Sequence, residues 1–142
     1  MFLGTHTPKL DDKGRFFLPA KFREELSDGL VITRQQDRCL AIYPRAVFEA
    51  EAAKAMSGSA TVAKVRDFQR MLASGASDEK PDGQGRLTVP PHLRRYAQLD
   101  REIVVIGAIN RIEVWDAANW QRYAEAQEAA FADMNEEVVD PR

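Results

Sequence analysis

Apolar and polar residues alternate along this chain in short segments that predict strands, with longer helical stripes between them. Leu30-Val31-Ile32-Thr33 and Cys39-Leu40-Ala41-Ile42-Tyr43 are β-branched or apolar runs on either side of the polar turn Gln35-Gln36-Asp37-Arg38. Ile103-Val104-Val105-Ile106 and Ile112-Glu113-Val114-Trp115 repeat that arrangement around Ala108-Ile109-Asn110-Arg111. Phe16-Phe17-Leu18 reads as a short strand that is apolar on both faces and hence buried, and Arg86-Leu87-Thr88-Val89 as its counterpart. A proline follows each and opens a short helix, Ala20–Leu26 with Phe22 and Leu26 on one face, and Pro91–Ala97. Pro44 stops the Cys39 strand, and Arg45–Met56 reads as a helix anchored by Val47 and Phe48. After Ser57-Gly58-Ser59, Thr61 is placed to cap a helix with Val62, Val65, Phe68 and Leu72 along one side and Lys64, Asp67 and Arg70 opposite. Pro8 limits regular pairing in residues 1–10, and a last helix from about Ala117 to Met134 runs into an acidic end expected to fray.

The polar punctuation shows a duplication. Asp11-Asp12-Lys13-Gly14-Arg15-Phe16-Phe17-Leu18-Pro19 recurs as Asp82-Gly83-Gln84-Gly85-Arg86-Leu87-Thr88-Val89-Pro90. Gly14 and Gly85 sit where a turn needs positive φ, and the Asp lies four residues before the Arg, across that turn. Its carboxylate is placed to accept the turn's free N–H groups and to steady the arginine at the start of a strand. The offset is 71 residues at Arg15 and Arg86 and 72 later, where Leu40–Tyr43 lies over Ile112–Trp115 and Phe48 over Trp120. Strand, helix, strand, turn, strand therefore occurs twice, followed each time by a helix. Solenoids need at least three units, so two copies predict a single pseudo-twofold domain. The expected class is mixed α+β, mainly β. Residues 1–50 form the first repeat, 51–80 the linking helices, 81–124 the second repeat and 125–142 the helical end and acidic tail.

Composition narrows the function. The 142 residues are 44% hydrophobic and 30% charged, ordinary values for a globular protein. No apolar run approaches the roughly 20 residues of a membrane span. The start, Met1-Phe2-Leu3-Gly4-Thr5-His6, lacks the charged segment and apolar run of a signal peptide. Cys39 is alone and suits a reducing cytoplasm; His6 and His92 lie in unrelated contexts, so neither a transition-metal site nor a cofactor is expected. The net charge of −2 argues against nucleic acid, but its distribution does not: residues 1–23 carry +3, residues 82–101 carry +2 and residues 124–142 carry −5.

An enzyme is not expected. Asp11 and Asp82 can be read as acid–base carboxylates, but no His or nucleophile accompanies them and turn capping suits them better. Gly83-Gln84-Gly85 lacks the third glycine and preceding strand of a dinucleotide site. Arg15 and Arg86 carry guanidinium forks matched to phosphate or to a guanine edge; an ion pair with Asp11 or Asp82 is the structural alternative, and one arginine has donors enough for both. Lys9, Lys13, Lys21 and Arg23 are either phosphate contacts or a solvated face, and crowding beside the Arg15 turn points Lys13 towards contact. Phe16, Phe17, Phe48, Trp115 and Trp120 read as core or subunit interface, not as base-stacking platforms.

Met1-Phe2-x-Gly4, Leu10-Asp11-x-Lys13-Gly14-Arg15, Pro19-x-x-Phe22-Arg23, Gly75-Ala76-Ser77, Asp82-Gly83-x-Gly85-Arg86 and Glu113-Val114-Trp115-Asp116 together resemble MraZ proteins over nearly the whole chain. The resemblance implies two AbrB-like (swapped-hairpin) halves forming a small β-barrel with flanking helices. It also implies a cytoplasmic, nucleoid-associated transcriptional regulator, acting as a repressor of its own division and cell-wall operon. Such a protein binds short G-rich direct repeats in double-stranded promoter DNA as a ring homo-oligomer of about eight subunits. Arg15, Lys13, Arg86, Lys21, Arg23 and Lys9 are then the DNA-binding candidates, with Asp11, Gly14, Asp82 and Gly85 as motif scaffolding. Gln84 stands where the first copy has Lys13, and Lys80-Pro81 where it has Lys9-Leu10, so the first copy is expected to grip DNA more strongly. A non-DNA-binding assembly module is the alternative, favoured by the acidic tail.

Overall fold

The computed structural model describes residues 1–135. The β-branched runs form β3 (Leu30–Gln35) and β4 (Cys39–Pro44), an antiparallel hairpin closed by a 3₁₀ turn at Gln36–Arg38. The second repeat gives β7 (Ile103–Gly107) and β8 (Ile112–Asp116) in the same arrangement. β4 pairs with β8 and joins the repeats in one sheet. β1 (Thr5–His6) extends it at β7 and β5 (Ser77–Glu79) at β3, giving the order β1-β7-β8-β4-β3-β5. The segment expected only to link into the second repeat thus supplies an edge strand.

The expected barrel is not closed. No pairing joins β1 to β5 among the described residues, and Pro8 and Pro81 follow these two short edge strands closely. The two motif strands leave the sheet and pair with each other instead. β2 (Arg15–Phe17) and β6 (Arg86–Thr88) form a separate antiparallel ribbon with Arg15 opposite Thr88, Phe16 opposite Leu87 and Phe17 opposite Arg86. Two equivalent residues of the repeats, Phe16 and Leu87, face one another in the ribbon, and two others, Ala41 and Glu113, do so in the sheet. The pseudo-twofold axis therefore runs through the middle of the ribbon, across the core and through the middle of the sheet.

The core lies between them. Phe16, Leu18, Leu87 and Val89 pack towards Ile32, Leu40, Ile42, Val105, Ile112 and Val114. The short helices α1 (Ala20–Arg23) and α4 (Pro91–Tyr96) close its flanks with Phe22 and Leu93, and Phe2 meets Phe22 edge-on at 5.3 Å. The strand–helix junction is clamped alike in each repeat: Tyr43 holds Phe48 of α2 (Arg45–Met56) at 5.9 Å, and Trp115 holds Trp120 of α5 (Ala117–Ala132) at 5.2 Å. Asp116 caps α5 by accepting from the N–H of Asn119 at 3.0 Å. α3 (Ala63–Gly75) is pinned to β3, where the Thr33 hydroxyl donates to the Leu72 carbonyl at 2.7 Å and Arg34 to that of Met71 at 2.8 Å. Thr61 does not cap α3; its hydroxyl pairs with that of Ser59, and Val62 precedes the helix. The predicted acidic fraying end falls mostly on residues 136–142, outside the described residues.

Candidate nucleic-acid interface

The two Asp-x-x-Gly-Arg turns have the same internal geometry. Asp11 Oδ1 accepts from the N–H groups of Lys13 and Arg15, both at 2.9 Å, and its Oδ2 accepts from Arg15 Nε at 2.8 Å. Asp82 accepts from Gln84 N–H and Arg86 N–H at 2.9 Å and from Arg86 Nε at 2.8 Å. Gly14 and Gly85 stand at φ +78° and +81°, the left-handed conformation that a side chain would strain. The Arg15 and Arg86 backbone N–H bonds, helped by the guanidinium bonds, hold the Asp11 and Asp82 carboxyls below the ordinary value of 3.8. Each arginine is therefore fixed through Nε, and its Nη1 and Nη2, which make no hydrogen bond among the described residues, remain as donors.

Strand alternation decides what the ribbon presents. Phe16 and Leu87 point into the core, so Arg15, Phe17, Arg86 and Thr88 share the outer face. Residues two apart on a strand are separated by roughly 7 Å and cross-strand pairs by roughly 5 Å. The four side chains thus form a small quadrilateral with the arginines at opposite corners. Phe17 corrects the expectation of burial: half of it is solvent-exposed, because a two-stranded ribbon covering a core has only one inner face.

Beneath the ribbon the repeats brace each other. Arg23 of α1 lies under the second turn, where a Cβ on Gly85 would sit 2.6 Å from its Cζ, and its Nε donates to the Leu18 carbonyl at 3.0 Å. Arg94 of α4 lies under the first turn, 2.7 Å from where a Cβ on Gly14 would be. Each glycine carbonyl accepts a bond from the other repeat: Gly14 from Val89 N–H at 2.8 Å, and Gly85 from Leu18 N–H at 3.0 Å. The glycines are needed twice over, for φ and for room to seat a guanidinium. Arg94 was not among the sequence candidates, although its signal was present: it stands 71 residues after Arg23, the motif offset.

The remaining candidates separate. Lys13 is exposed on the first turn, where the second has Gln84. Lys9 pairs with Glu102 at 3.6 Å across an isolated bridge. Lys21 lies over the Phe22 ring at 5.7 Å, beside His6, whose pKa falls through burial and then through the charge of Lys21. Arg15, Lys13 and Arg86 therefore share the ribbon surface, Arg23 supports it from below, Lys9 is tied to an acid, and Lys21 belongs to the N-terminal packing. A cleft of about 750 Å³ beside the first turn adds Arg94, Arg95 and Arg101, interleaved with Asp11, Asp12 and Asp100. Among the described residues, no group of three or more His, Cys, Asp or Glu is placed to hold a metal ion.

The sequence model of the family described as "MraZ protein, putative antitoxin-like" matches the chain twice, over residues 1–71 and 72–141. The chain belongs to the MraZ family. The boundary between the two MraZ matches falls within α3, at the period that relates Arg15 to Arg86. Transcriptional regulator MraZ of Cutibacterium acnes is 71% identical over 134 residues, 94% of each chain. Proteins of the same name from Kineococcus radiotolerans and Saccharopolyspora erythraea are 55% and 54% identical, each over 98% of this chain and 97% of their own. No helix among the described residues is long and apolar enough to cross a membrane.

Proposed function

We propose that this MraZ-family chain is a sequence-specific DNA-binding transcriptional regulator and that the β2–β6 ribbon is its DNA-reading surface. One observation carries the reading: Arg15 and Arg86 are held by identical Asp clamps on the same outer face of the ribbon, each side chain about a quarter exposed, with Nη atoms that make no hydrogen bond among the described residues. Prefixed forks of this kind suit a guanine edge or a phosphate, and a two-stranded ribbon fits the major groove. Lys13 adds a phosphate contact on the first turn, and Arg23 contributes by supporting the second. A face this small offers few contacts, so tight binding requires linked copies on repeated boxes, gaining through effective concentration. This agrees with the finer part of the reading, drawn from the family resemblance: a ring of about eight subunits on short direct repeats, repressing its own division and cell-wall operon in the cytoplasm, at the nucleoid.

The test is fluorescence anisotropy on a labelled duplex from upstream of the gene, against a scrambled duplex, across a salt series. Selective binding with a steep negative slope of log K against log [salt] is expected. Equal, weak binding to both duplexes would move the reading to an assembly module. The exposed Val62, Phe68 and Met71 beside α2 and Phe131 on α5 supply apolar surface for that second reading.

A further inference from the structure

Phe17 belongs to neither hydrophobic cluster of the described residues. It is 50% exposed, while Phe16 beside it is 1% exposed and Leu87 across the ribbon is fully buried. It stands opposite Arg86 and two residues from Arg15. The pseudo-twofold that exchanges Arg15 with Arg86 exchanges Phe17 with Thr88. The cationic corners of the face are thus equivalent, and the other two are not: one is a phenyl ring, the other a hydroxyl-bearing threonine.

A half-exposed ring between two guanidiniums needs an apolar partner inside an otherwise polar, anionic surface. The major groove offers one such group at its base edges, the 5-methyl of thymine. Base pairs rise 3.4 Å along each strand, and cross-strand residues of a ribbon lie roughly 5 Å apart, so neighbours on the face reach neighbouring base pairs. We propose that Phe17 packs against a thymine 5-methyl in the base pair adjoining the one contacted by Arg86, and that this contact gives each subunit's footprint a direction that two equivalent arginine turns lack. The inference rests on the DNA-binding reading and specifies its sequence preference.

The test uses the full-length protein and the duplex it selects, with thymines replaced by deoxyuridine one position at a time in every box, which removes only the methyl. One position should cost the wild type about fourfold in affinity for each box bound, the worth of one buried methyl group, compounded over the linked subunits. Phe17→Thr, which makes the two outer strands alike, should be indifferent to that replacement while keeping salt-dependent binding, its melting temperature and its sedimentation coefficient. Phe17→Leu should recover part of the methyl preference. The assignment falls if methyl removal costs both proteins equally, if Phe17→Thr melts early (a packing residue) or if its assembly mass changes (a subunit contact). If wild type binds no duplex selectively and Arg15→Ala alters nothing, the DNA-binding reading falls with it. Selective, Arg15-dependent binding without methyl coupling removes Phe17 alone.

Discussion

The two turns of the ribbon are the same machine with different tips. Their clamps agree bond for bond, from the two N–H bonds to each aspartate to the 2.8 Å contact with Arg Nε. Their glycines differ by only 3° in φ, and each seats an arginine from the opposite repeat. The tips differ, Asp12 against Gly83, Lys13 against Gln84 and Phe17 against Thr88, while the buried positions exchange one apolar residue for another, Phe16 for Leu87 and Leu18 for Val89. Duplication has kept the parts that position an arginine and varied the parts that surround it. The shared parts should govern stability alike in both halves, and the variable parts should govern how unequally the halves hold a ligand.

The largest effect is expected from removing the arginine tips themselves. Arg15→Ala should abolish selective promoter binding in the anisotropy titration, since a bidentate contact is worth about 1–3 kcal/mol and is lost from every subunit of an assembly at once. Arg86→Ala should weaken binding less, because Lys13 remains beside Arg15. Both variants should melt within a few degrees of wild type, since the backbone N–H bonds to each aspartate remain and a partly exposed ion pair contributes about 1 kcal/mol or less. If Arg15→Ala unfolds or dissociates, Arg15 is structural; if Arg86→Ala costs as much as Arg15→Ala, the halves are equivalent in function too.

Next come the glycines. Gly14→Ala and Gly85→Ala each force a Cβ against a seated guanidinium and a side chain into positive φ, and each should cost about 1–3 kcal/mol of stability by denaturant unfolding. The bracing crosses between repeats, so the rescue should cross too: Arg94→Ala relieves the steric part of Gly14→Ala but not of Gly85→Ala, and Arg23→Ala does the reverse. Rescue within the same repeat would show that the turns are not braced in this way. A smaller effect separates the tips: Lys13→Gln should lower the salt slope by about 0.9 per bound subunit and Gln84→Lys raise it equally, the signature of one phosphate contact.

How much of this was readable beforehand follows the range of the interactions. The Asp clamp spans four residues, so spacing alone indicates it. The hairpins and the helix at Arg45–Met56 are also local, and the structure has them where the apolar pattern places them. The pairing of β2 with β6 joins residues 69 to 73 apart, and no local pattern encodes it. That pairing turned Phe17 outward: in Phe16-Phe17-Leu18 three apolar residues in a row hide the period of two, and only the partner strand fixes which face is covered. The bracing arginines escaped for a related reason. Arg23 and Arg94 are charged residues on short helices, and they read as solvated or DNA-facing until the fold brings each beneath the other repeat's glycine.

The smallest expected effect tests whether the clamps are as equal energetically as they are geometrically. Both aspartates titrate below the ordinary 3.8, through backbone N–H bonds from Arg15 or Arg86 first and through the guanidinium second. A carboxyl whose folded value is depressed contributes stability that is complete above the unfolded value and fades as pH falls through the folded one. The clamps should therefore be indifferent to pH near neutrality and weaken only below about pH 4, with each carboxylate 39% exposed and its contribution correspondingly screened. Other acids protonate in the same range, so the informative quantity is a difference. The melting-temperature gap between wild type and Asp11→Asn should close as pH falls below 3.8, and the gap for Asp82→Asn should close along the same curve. Curves that separate would mean that the Lys13 turn and the Gln84 turn carry different electrostatic loads, and that the duplication has diverged in its scaffold as well as at its tips.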